Sequence, residues 1–544
     1  MEMIIKQFAE NPLLLLFVVA AVGYFLGSIK IKGSSLGVAA VLFTGLACGA
    51  IDPSLQIPEV IFVLGLVLFV YSIGLSSGPA FFKSYRKNGL RDFLFIMSML
   101  ILSGLTAVAL FWLFDLSAAT ITGIYAGSTT NTPALAGVID YITSKNGTGS
   151  QELVDLAVIG YSLSYPMGVL GGIFAILIME KVLKIDYDKE KKQLRKEYPL
   201  DTHLSSATVK VTNTSISGQT LRDISKNYKW DVVIGRVIQD QGVSLATYDT
   251  VLSVGDLLML VGNEDDLDQA INDIGERSTS NLEYDRTQYD TRRIFVSRPS
   301  VVGKSLASLN LHKDFQAVIT RIRRGDIDML ATDDTILELG DRLRFVARRE
   351  DLRALSKYFG DSYTKSSKVN LFSFGLGIGL GLLLGLIEIP LGAFSFKLGY
   401  AGGPLIVGLI LGAIRRTGPI VWTLPYSANV TLQQIGLILL LAGIGVSSGS
   451  SFVSSLSLDS IWIFIASVII SLLTGIATLL IGYKIVKLPF SLLMGMVSNQ
   501  PAILDFAVSK SKNRIPEFGY TMMFPIASIM KIIIAQLMFI ILYS

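Results

Sequence analysis

The sequence contains a single cysteine, Cys48, and only two histidines, His203 and His312. Disulfides, cysteine-based metal sites and histidine-dependent catalysis are therefore not expected. The sequence also has no G-x-G-x-x-G, P-loop or G-x-S-x-G segment, so it predicts no Rossmann dinucleotide site, no ATP hydrolysis and no serine hydrolase. It thus predicts neither an enzyme nor a bound metal or other cofactor.

Charged residues are scarce over most of the chain. Of the 544 residues, 51% are hydrophobic and 17% are charged, and the mean hydropathy is +0.55. Of the 90 charged residues, 59 lie between 181 and 368. Two membrane blocks are therefore predicted to flank a soluble insert. The net charge is only +4, and the basic residues form no long stripe, so nucleic acid is not expected as a partner.

Long apolar segments predict the membrane helices. In the first block they cover about 11–28, 34–51, 60–78, 92–114 and 154–180. In the second block they cover about 369–388, 399–414, 431–449, 459–483 and 517–541. Two further segments, 118–142 and 488–509, are interrupted by polar residues and a proline. Each block is therefore predicted to contain five transmembrane helices and one broken element.

Lysine and arginine indicate the orientation, because they concentrate on the cytoplasmic side. Basic clusters lie at 83–91, after Glu180 and at 510–514. All three fall on one side only if the interrupted segments enter and leave the membrane on that side, as re-entrant hairpins. Residues 181–368 are then cytoplasmic, and both termini are extracytoplasmic.

The two membrane blocks repeat each other in sequence. GLVLFVYSIGLSSG (65–78) and GLILLLAGIGVSSG (436–449) share eight of fourteen letters, and GLACGAI (45–51) resembles GLILGAI (408–414). The matches keep the same order, and an odd number of crossings inverts the second block. The sequence therefore predicts an inverted repeat, an arrangement common among secondary transporters. The glycines at 45, 49, 408 and 412 are expected to supply scaffold and dimer contacts.

The interrupted segments carry the candidate binding residues. NTPAL (131–135) and NQPAI (499–503) each place amides and a proline in apolar surroundings. A helix broken inside a membrane exposes backbone groups and helix dipoles that suit a small charged substrate. The predicted binding residues are Ser128, Thr129, Thr130, Asn131, Thr132, Pro133, Ser498, Asn499, Gln500 and Pro501. The alternative is that the two prolines make structural kinks only.

Three further residues are candidates on the last helix of each block. Lys531 lies near the middle of the apolar segment 517–541, where an ammonium group is costly. It could neutralise a substrate carboxylate or pair with Asp505; the competing account is that it snorkels or packs against the carbonyl groups of a neighbouring helix. Tyr161 and Tyr520 occupy matching positions and either line the pathway or serve packing.

The insert contains a second duplication, 206–275 and 292–360, with linkers at 181–205 and 276–291. YDTVLSVGDLLMLVG (248–262) matches DDTILELGDRLRFVA (333–347), and short β-branched runs alternate with a G-D turn and an amphipathic helix. Each copy predicts a small α+β module. The copies resemble the RCK-C (TrkA-C) module. The resemblance implies pairing, hence a homodimer, and either a small ligand on the modules or a role in assembly alone.

The order of these parts resembles the aspartate:alanine exchanger family of bacterial transporters. The resemblance implies an α-helical polytopic protein of the cytoplasmic membrane, with repeats at 1–180 and 369–544, that exchanges small amino acids or dicarboxylates across the lipid bilayer. In that family the pair is L-aspartate and L-alanine. The alternatives are an ion channel or cation antiporter gated by the modules, and a membrane enzyme. A channel is disfavoured by the absence of a T-V-G-Y-G filter.

Overall fold

The computed structural model describes residues 2–29, 37–146, 150–187, 190, 204–228, 230–240, 242–279, 289–325, 327–364, 368–391, 394–454, 460–498, 501–513 and 515–543. The chain separates into two compact units. Unit 1 comprises 1–198, 374–413 and 430–544, and unit 2 comprises 199–373 and 414–429.

The regular elements described in the first part of unit 1 are all helical. Its elements are α1 (Glu2–Glu10), α2 (Pro12–Ser28), a 3₁₀ turn (Gly37–Ala39), α3 (Ala40–Gly49), α4 (Glu59–Phe114), α5 (Ala118–Ser128), α6 (Thr132–Asn146) and α7 (Ser150–Leu183). Helix α4 differs from the expectation. It joins the predicted segments 60–78 and 92–114 into one continuous helix, because the lysines and arginines between them are good helix formers and need not make a loop.

Unit 2 contains the predicted pair of α+β modules. The first module has β1 (Ser205–Val211), a 3₁₀ turn (Thr214–Ile216), α8 (Leu221–Tyr228), β2 (Val232–Gln239), β3 (Gly242–Leu245), β4 (Leu257–Gly262), α9 (Glu264–Ile274) and β5 (Gly275–Arg277). The second has β6 (Tyr289–Phe295), a 3₁₀ turn (Ala307–Leu309), α10 (Leu311–Phe315), β7 (Ala317–Arg324), β8 (Ile327–Leu330), β9 (Arg342–Arg348) and α11 (Leu352–Phe359). Both sheets are antiparallel, with orders β3-β2-β4-β1-β5 and β6-β9-β7-β8.

The G-D turn of each module explains why its two letters recur. Gly255 and Gly340 have φ of 103° and 91°, which favours glycine. The next residue closes the turn, because Asp256 accepts a hydrogen bond from the Ser253 N–H and Asp341 from the Glu338 N–H, each at 2.8 Å. The duplication seen in the sequence is therefore a duplication of local structure.

The second part of unit 1 resumes the helical pattern. Its elements are α12 (Leu371–Gly385), a hairpin of β10 (Glu388–Leu391) and β11 (Phe394–Lys397), α13 (Gly399–Ile414), α14 (Tyr426–Ser447), α15 (Gly449–Ser454), α16 (Ser460–Ile481), a π turn (Gly482–Val486), α17 (Phe490–Val497), α18 (Pro501–Ser511) and α19 (Ile515–Tyr543). Six helical segments in the described ranges are long and apolar enough to cross a membrane, and four shorter apolar helices accompany them. The predicted combination of apolar helices with an inserted α+β region is confirmed.

Residues 414–429, between α13 and α14, belong to unit 2. Here β12 (Arg416–Thr417) pairs with β13 (Ile420–Val421), and Val421 is part of the hydrophobic core of the second module. Arg416 donates hydrogen bonds to the carbonyl oxygens of Ser300 and Val302, at 3.2 and 3.0 Å. Arg415 lies 3.5 Å from the carboxylate of Glu338, whose pKa is raised above its ordinary value by burial. This short connection is thus an integral piece of the module.

Reciprocal glycine contacts join the two membrane blocks within unit 1. A methyl group on Gly74 would lie 2.5 Å from the carbonyl oxygen of Leu405, and one on Gly445 would lie 2.6 Å from that of Leu42. Gly74 and Gly445 are equivalent in the aligned segments, and Leu42 and Leu405 each precede an equivalent glycine by three residues. Gly65 and its equivalent Gly436 also lie against each other, since a methyl group on either would lie 2.6 Å from the carbonyl oxygen of the other. The backbones therefore approach closely wherever the repeated glycines lie.

Candidate functional site

Two helices of unit 1 are broken where the sequence predicts a break. The first hairpin consists of α5 and α6, separated at residues 129–131, and the second consists of α17, which ends at Val497, and α18, which begins at Pro501. The entry leg of each packs on the last helix of its own block: Gly123 lies against the Ala157 carbonyl, and Gly495 lies against the Pro516 carbonyl. These two glycines are the equivalent pair that precedes NTPAL and NQPAI.

Local hydrogen bonds shape the tip of the first hairpin. Helix α5 begins after Ser117, whose hydroxyl accepts a hydrogen bond from the Thr120 N–H at 3.0 Å. At the tip, Thr130 has a φ of 46°, which turns the chain, and the Asn131 side chain accepts a hydrogen bond from the Ala134 N–H at 2.8 Å. Asn131 is therefore the N-cap of α6. The tip presents the negative end of one helix dipole beside the positive end of another.

Lys531 reaches this tip from α19. Its ammonium group donates a hydrogen bond to the main-chain carbonyl of Thr129 at 3.2 Å, and the side chain is 3% exposed. Thr129 follows the last residue of α5, where carbonyl groups lack partners within the helix. Of the interpretations left open by the sequence, the structure shows contact with a neighbouring helix end. The side chain of Asp505 lies outside the described residues.

Lys531 lines two cavities. The first is bordered by Ser128 and Thr129 of the first hairpin and by Met496 and Val497 of the second. The second is bordered by Asn131 and Ser498, together with Met523, Phe524, Ala527 and Ser528 of α19. Residues from both tips are therefore assembled around one buried cation.

Several hydroxyl groups at these cavities are buried but have no hydrogen-bond partner among the described residues. They belong to Ser128 at the end of α5 and to Thr474 on α16, both lining the first cavity. The hydroxyl of Thr130, also at the tip, has the same property. A buried hydroxyl without a partner is costly, so each of these groups is available to a polar ligand or to water.

The remaining residues predicted for the first hairpin support its backbone. The Thr132 hydroxyl lies 2.7 Å from that of Tyr161 on α7, and both residues are buried. The Thr129 hydroxyl donates to the carbonyl of Tyr125 at 2.8 Å, and Pro133 is the second residue of α6. Thr132 and Tyr161 are thus brought together to fix the start of α6.

The predicted residues of the second hairpin are only partly described. Ser498 is buried, and its hydroxyl donates to the carbonyl of Met494 at 2.7 Å. Asn499 and Gln500 lie outside the described residues. Pro501 begins α18, and its side chain is not described. Tyr520 is half-buried on α19 and packs on Phe524, with ring centroids 5.0 Å apart.

The sequence reasoning missed one face of α16 and one residue of α19. Ser471, Thr474 and Thr478 follow each other at helical spacing and line the first cavity, as does Ser103 of α4. Gln536 donates a hydrogen bond to the carbonyl of Gly137 in α6 at 2.9 Å, five residues beyond Lys531. The available signal was a row of hydroxyls and a glutamine inside otherwise apolar helices.

The membrane blocks match one protein family. Residues 15–181 and 373–540, more than half of the chain, match the family described as a predicted permease membrane region. The chain belongs to the aspartate:alanine exchanger family. Residues 207–275 and 292–360 match the TrkA-C domain, so this exchanger-family protein carries two such modules.

Similar proteins extend over nearly the whole chain. An uncharacterized transporter of Geobacter sulfurreducens is 47% identical over 97% of this chain and 98% of its own length. Uncharacterized transporters of Symbiobacterium thermophilum and Bacteroides fragilis are 41% and 34% identical, and each alignment covers 97% of this chain and at least 97% of the relative. The crystal structure of the GsuK RCK domain matches 29% of this chain and 64% of its own, at 13% identity and a TM-score of 0.16, too low to establish a common fold.

The exchanger-family membership and the apolar helices together identify a multi-pass membrane transporter with a soluble TrkA-C region. Within the described ranges, no group of three or more histidine, cysteine or acidic side chains has the arrangement of a metal site.

Proposed function

We propose that this protein is an antiporter that exchanges small amino acids or dicarboxylates, with L-aspartate and L-alanine as the pair implied by its family. The observation that carries the proposal is the position of Lys531, which lines both cavities between the two hairpin tips. A cation surrounded by hydroxyls, an amide and helix ends suits a carboxylate substrate.

Each group at the tips has a role in this proposal. Lys531 would exchange its hydrogen bond to the Thr129 carbonyl for a substrate carboxylate, and the hydroxyls of Ser128 and Thr474 would donate to the same ligand. The freed carbonyl at the end of α5 would then accept from the substrate's ammonium group. A zwitterion therefore finds complementary charges in cavities whose described lining contains no acidic side chain.

The buried cation also gives a reason for exchange rather than one-way transport. Moving a charged side chain through the bilayer without a counter-charge is costly. A carrier that returns empty would have to move Lys531 without a substrate carboxylate, whereas a loaded carrier moves it together with one. Because aspartate has one more negative charge than alanine, aspartate entry against alanine exit carries net negative charge inward.

The proposed mechanism is alternating access in which the hairpins move against a fixed scaffold. The reciprocal contacts of Gly74 with Leu405 and of Gly445 with Leu42 support an inverted repeat of two equivalent blocks, and the helices that carry them supply the scaffold. We further propose a homodimer in the bacterial cytoplasmic membrane, with 181–368 in the cytoplasm, both termini outside and a small ligand on the TrkA-C modules.

Reconstituted transport tests the exchange directly. In proteoliposomes preloaded with unlabelled aspartate or alanine, labelled amino acid should enter, and in empty liposomes it should not. Uptake that is independent of the internal solute would overturn antiport, and unitary ion currents in planar bilayers would favour a channel.

The tip of the first hairpin is tested by Asn131→Ala, which should abolish stabilisation of the protein by the exchanged substrate. Thr106→Val, on α4 and bonded only within its own helix, serves as the control.

A further inference from the structure

The second hairpin is contacted at both outer ends by the end of α7 and the linker that follows it. Glu190 accepts hydrogen bonds from the Ser491 N–H at 3.0 Å and from the Ser491 hydroxyl at 2.5 Å, as well as from the Phe490 N–H. Phe490 and Ser491 are the first residues of α17. At the other end, Glu180 lies 3.2 Å from Lys510 in the last turn of α18. Two carboxylates ten residues apart thus contact both legs of the hairpin.

These contacts are electrostatically matched to the helix ends. The residue before α17 is Pro489, which supplies no side-chain cap, so the Glu190 carboxylate satisfies N–H groups that the helix leaves open. A lysine near the end of α18 is likewise favourable beside the helix C-terminus. Between the two acids, Tyr187 donates a hydrogen bond to the sulfur of Met494 in α17 at 3.5 Å. The three contacts form one continuous attachment.

The first hairpin has a different arrangement at its entry. Its α5 is capped by Ser117, which belongs to its own loop. The cap of α17 instead comes from a residue 300 positions away. That residue lies just before the soluble insert, whose first strand starts at Ser205. The two hairpins therefore differ in the source of their entry cap, which for α17 is a residue just before the insert.

We propose that Glu180, Tyr187 and Glu190 form a clasp that positions the second hairpin, and that the hairpin moves only when the clasp opens. This inference rests on the proposed function in one respect, that hairpin movement is a step of transport. Because the clasp is covalently continuous with the insert, a rearrangement of the modules that pulls on the chain would open it. Glu180 and Glu190 are positioning residues, since neither lines the described cavities.

Chemical labelling at the hairpin tip tests the clasp without any substrate. Cys48→Ser removes the single cysteine, and Ser498→Cys then reports whether the tip is reached by a small cationic thiosulfonate reagent in detergent. Glu190→Gln and Glu180→Gln should raise the labelling rate roughly three- to tenfold, the effect of replacing a charge-assisted hydrogen bond with a neutral one. Glu152→Gln, an acid at the opposite end of α7, should leave the rate unchanged. Equal rates in all three variants would overturn the proposal.

Exchanging the charges of Glu180 and Lys510 distinguishes loss of their ion pair from loss of folding. Glu180→Lys should accelerate labelling, and Glu180→Lys combined with Lys510→Glu should restore the original rate. Failure of the double variant to slow labelling, in protein that melts at the parental temperature, would mean that the Glu180–Lys510 pair does not position the hairpin.

Cross-linking connects the clasp to transport. A short bifunctional thiosulfonate reagent joining Glu190→Cys to Ser491→Cys should stop exchange in proteoliposomes, and reduction should restore it. The matched control joins Ser76→Cys to Gln433→Cys, whose parent side chains are 3.2 Å apart on α4 and α14, and should leave exchange intact. Exchange that continues after cross-linking would contradict the clasp proposal but would be compatible with the proposed antiport function. Loss of exchange in the unlocked parent would instead contradict the proposed function, and the labelling result would remain valid.

Discussion

Lys531 donates a hydrogen bond to the carbonyl oxygen of Thr129 at 3.2 Å, although the two residues are 402 positions apart. One belongs to the last helix of the chain and the other to the tip of the first hairpin. The contact links the two membrane blocks at the cavities that we propose as the substrate site. It also predicts how substrate binding and thermal unfolding change when the buried ammonium group is removed.

Replacing Lys531 with methionine should weaken substrate binding at least about tenfold, because hydrogen bonds to a charged group contribute about 1.5–3 kcal/mol. The unliganded protein should unfold at the same temperature or higher, since the variant no longer buries a charge. Thermal unfolding with and without aspartate measures both effects. The exposed Lys6→Met is the control, and undiminished stabilisation of the Lys531 variant by aspartate would remove this residue from the site.

The unpartnered hydroxyls make a second prediction. Ser128→Ala and Thr474→Val should each weaken binding roughly five- to tenfold, the effect of one hydrogen bond, while leaving the unliganded protein unchanged or slightly more stable. The physical reason is that each hydroxyl is buried without a partner until the ligand arrives. Affinity is measured by calorimetry, with Thr106→Val as the control, and a clear loss of unliganded stability would show that the hydroxyls have a structural role instead.

The contact between Thr132 and Tyr161 is expected to stabilise the start of α6. Tyr161→Phe and Thr132→Val should each lower the free energy of unfolding, and the double variant should lose less than the sum, with a coupling of about 0.5–1.5 kcal/mol. Reversible unfolding in mixed micelles gives these values. Additive losses would show that the two hydroxyls do not interact.

The glycine contacts between the blocks predict a large cost for one added methyl group. Gly445→Ala would place a carbon 2.6 Å from the Leu42 carbonyl and should destabilise the protein by about 1–3 kcal/mol. Gly379→Ala on α12 has open space around it and should instead stabilise its helix by up to about 1 kcal/mol. Unfolding in mixed micelles distinguishes the two, and equal effects would mean that the close approach is absent.

The sequence predicted the hairpins because proline, amides and basic residues leave strong local signals, and Asn131, Ser498 and Lys531 line one common cavity. It did not predict Thr474, because spacing along α16 shows which residues share a face but not what that face contacts. Glu190 was missed for the same reason, since its partner Ser491 is 301 residues away. The unbroken α4 was missed because hydropathy delimits the apolar segments 60–78 and 92–114 but does not show whether the helix continues between them.

The strand Ile420–Val421 supports a fifth prediction. Val421→Asp should destabilise the second module by on the order of 3 kcal/mol, because a carboxylate would replace a core side chain. Hydrogen exchange measured by mass spectrometry should accelerate across residues 414–424. Ile420→Asp, at the half-buried neighbouring position, should have a smaller effect. Slow exchange in the Val421 variant would show that this strand is not needed by the module.

The position of residues 414–429 in the second module limits how this protein can be recombined. The chain enters and leaves unit 2 twice, at 199–373 and again at 414–429. A chimera that receives only the long insert from a relative would combine a foreign core with the native Val421 and Arg416. Functional hybrids should therefore require both segments, 199–373 and 414–429, from one parent. Exchange or deletion of one continuous piece of the gene is not expected to replace the modules of this carrier.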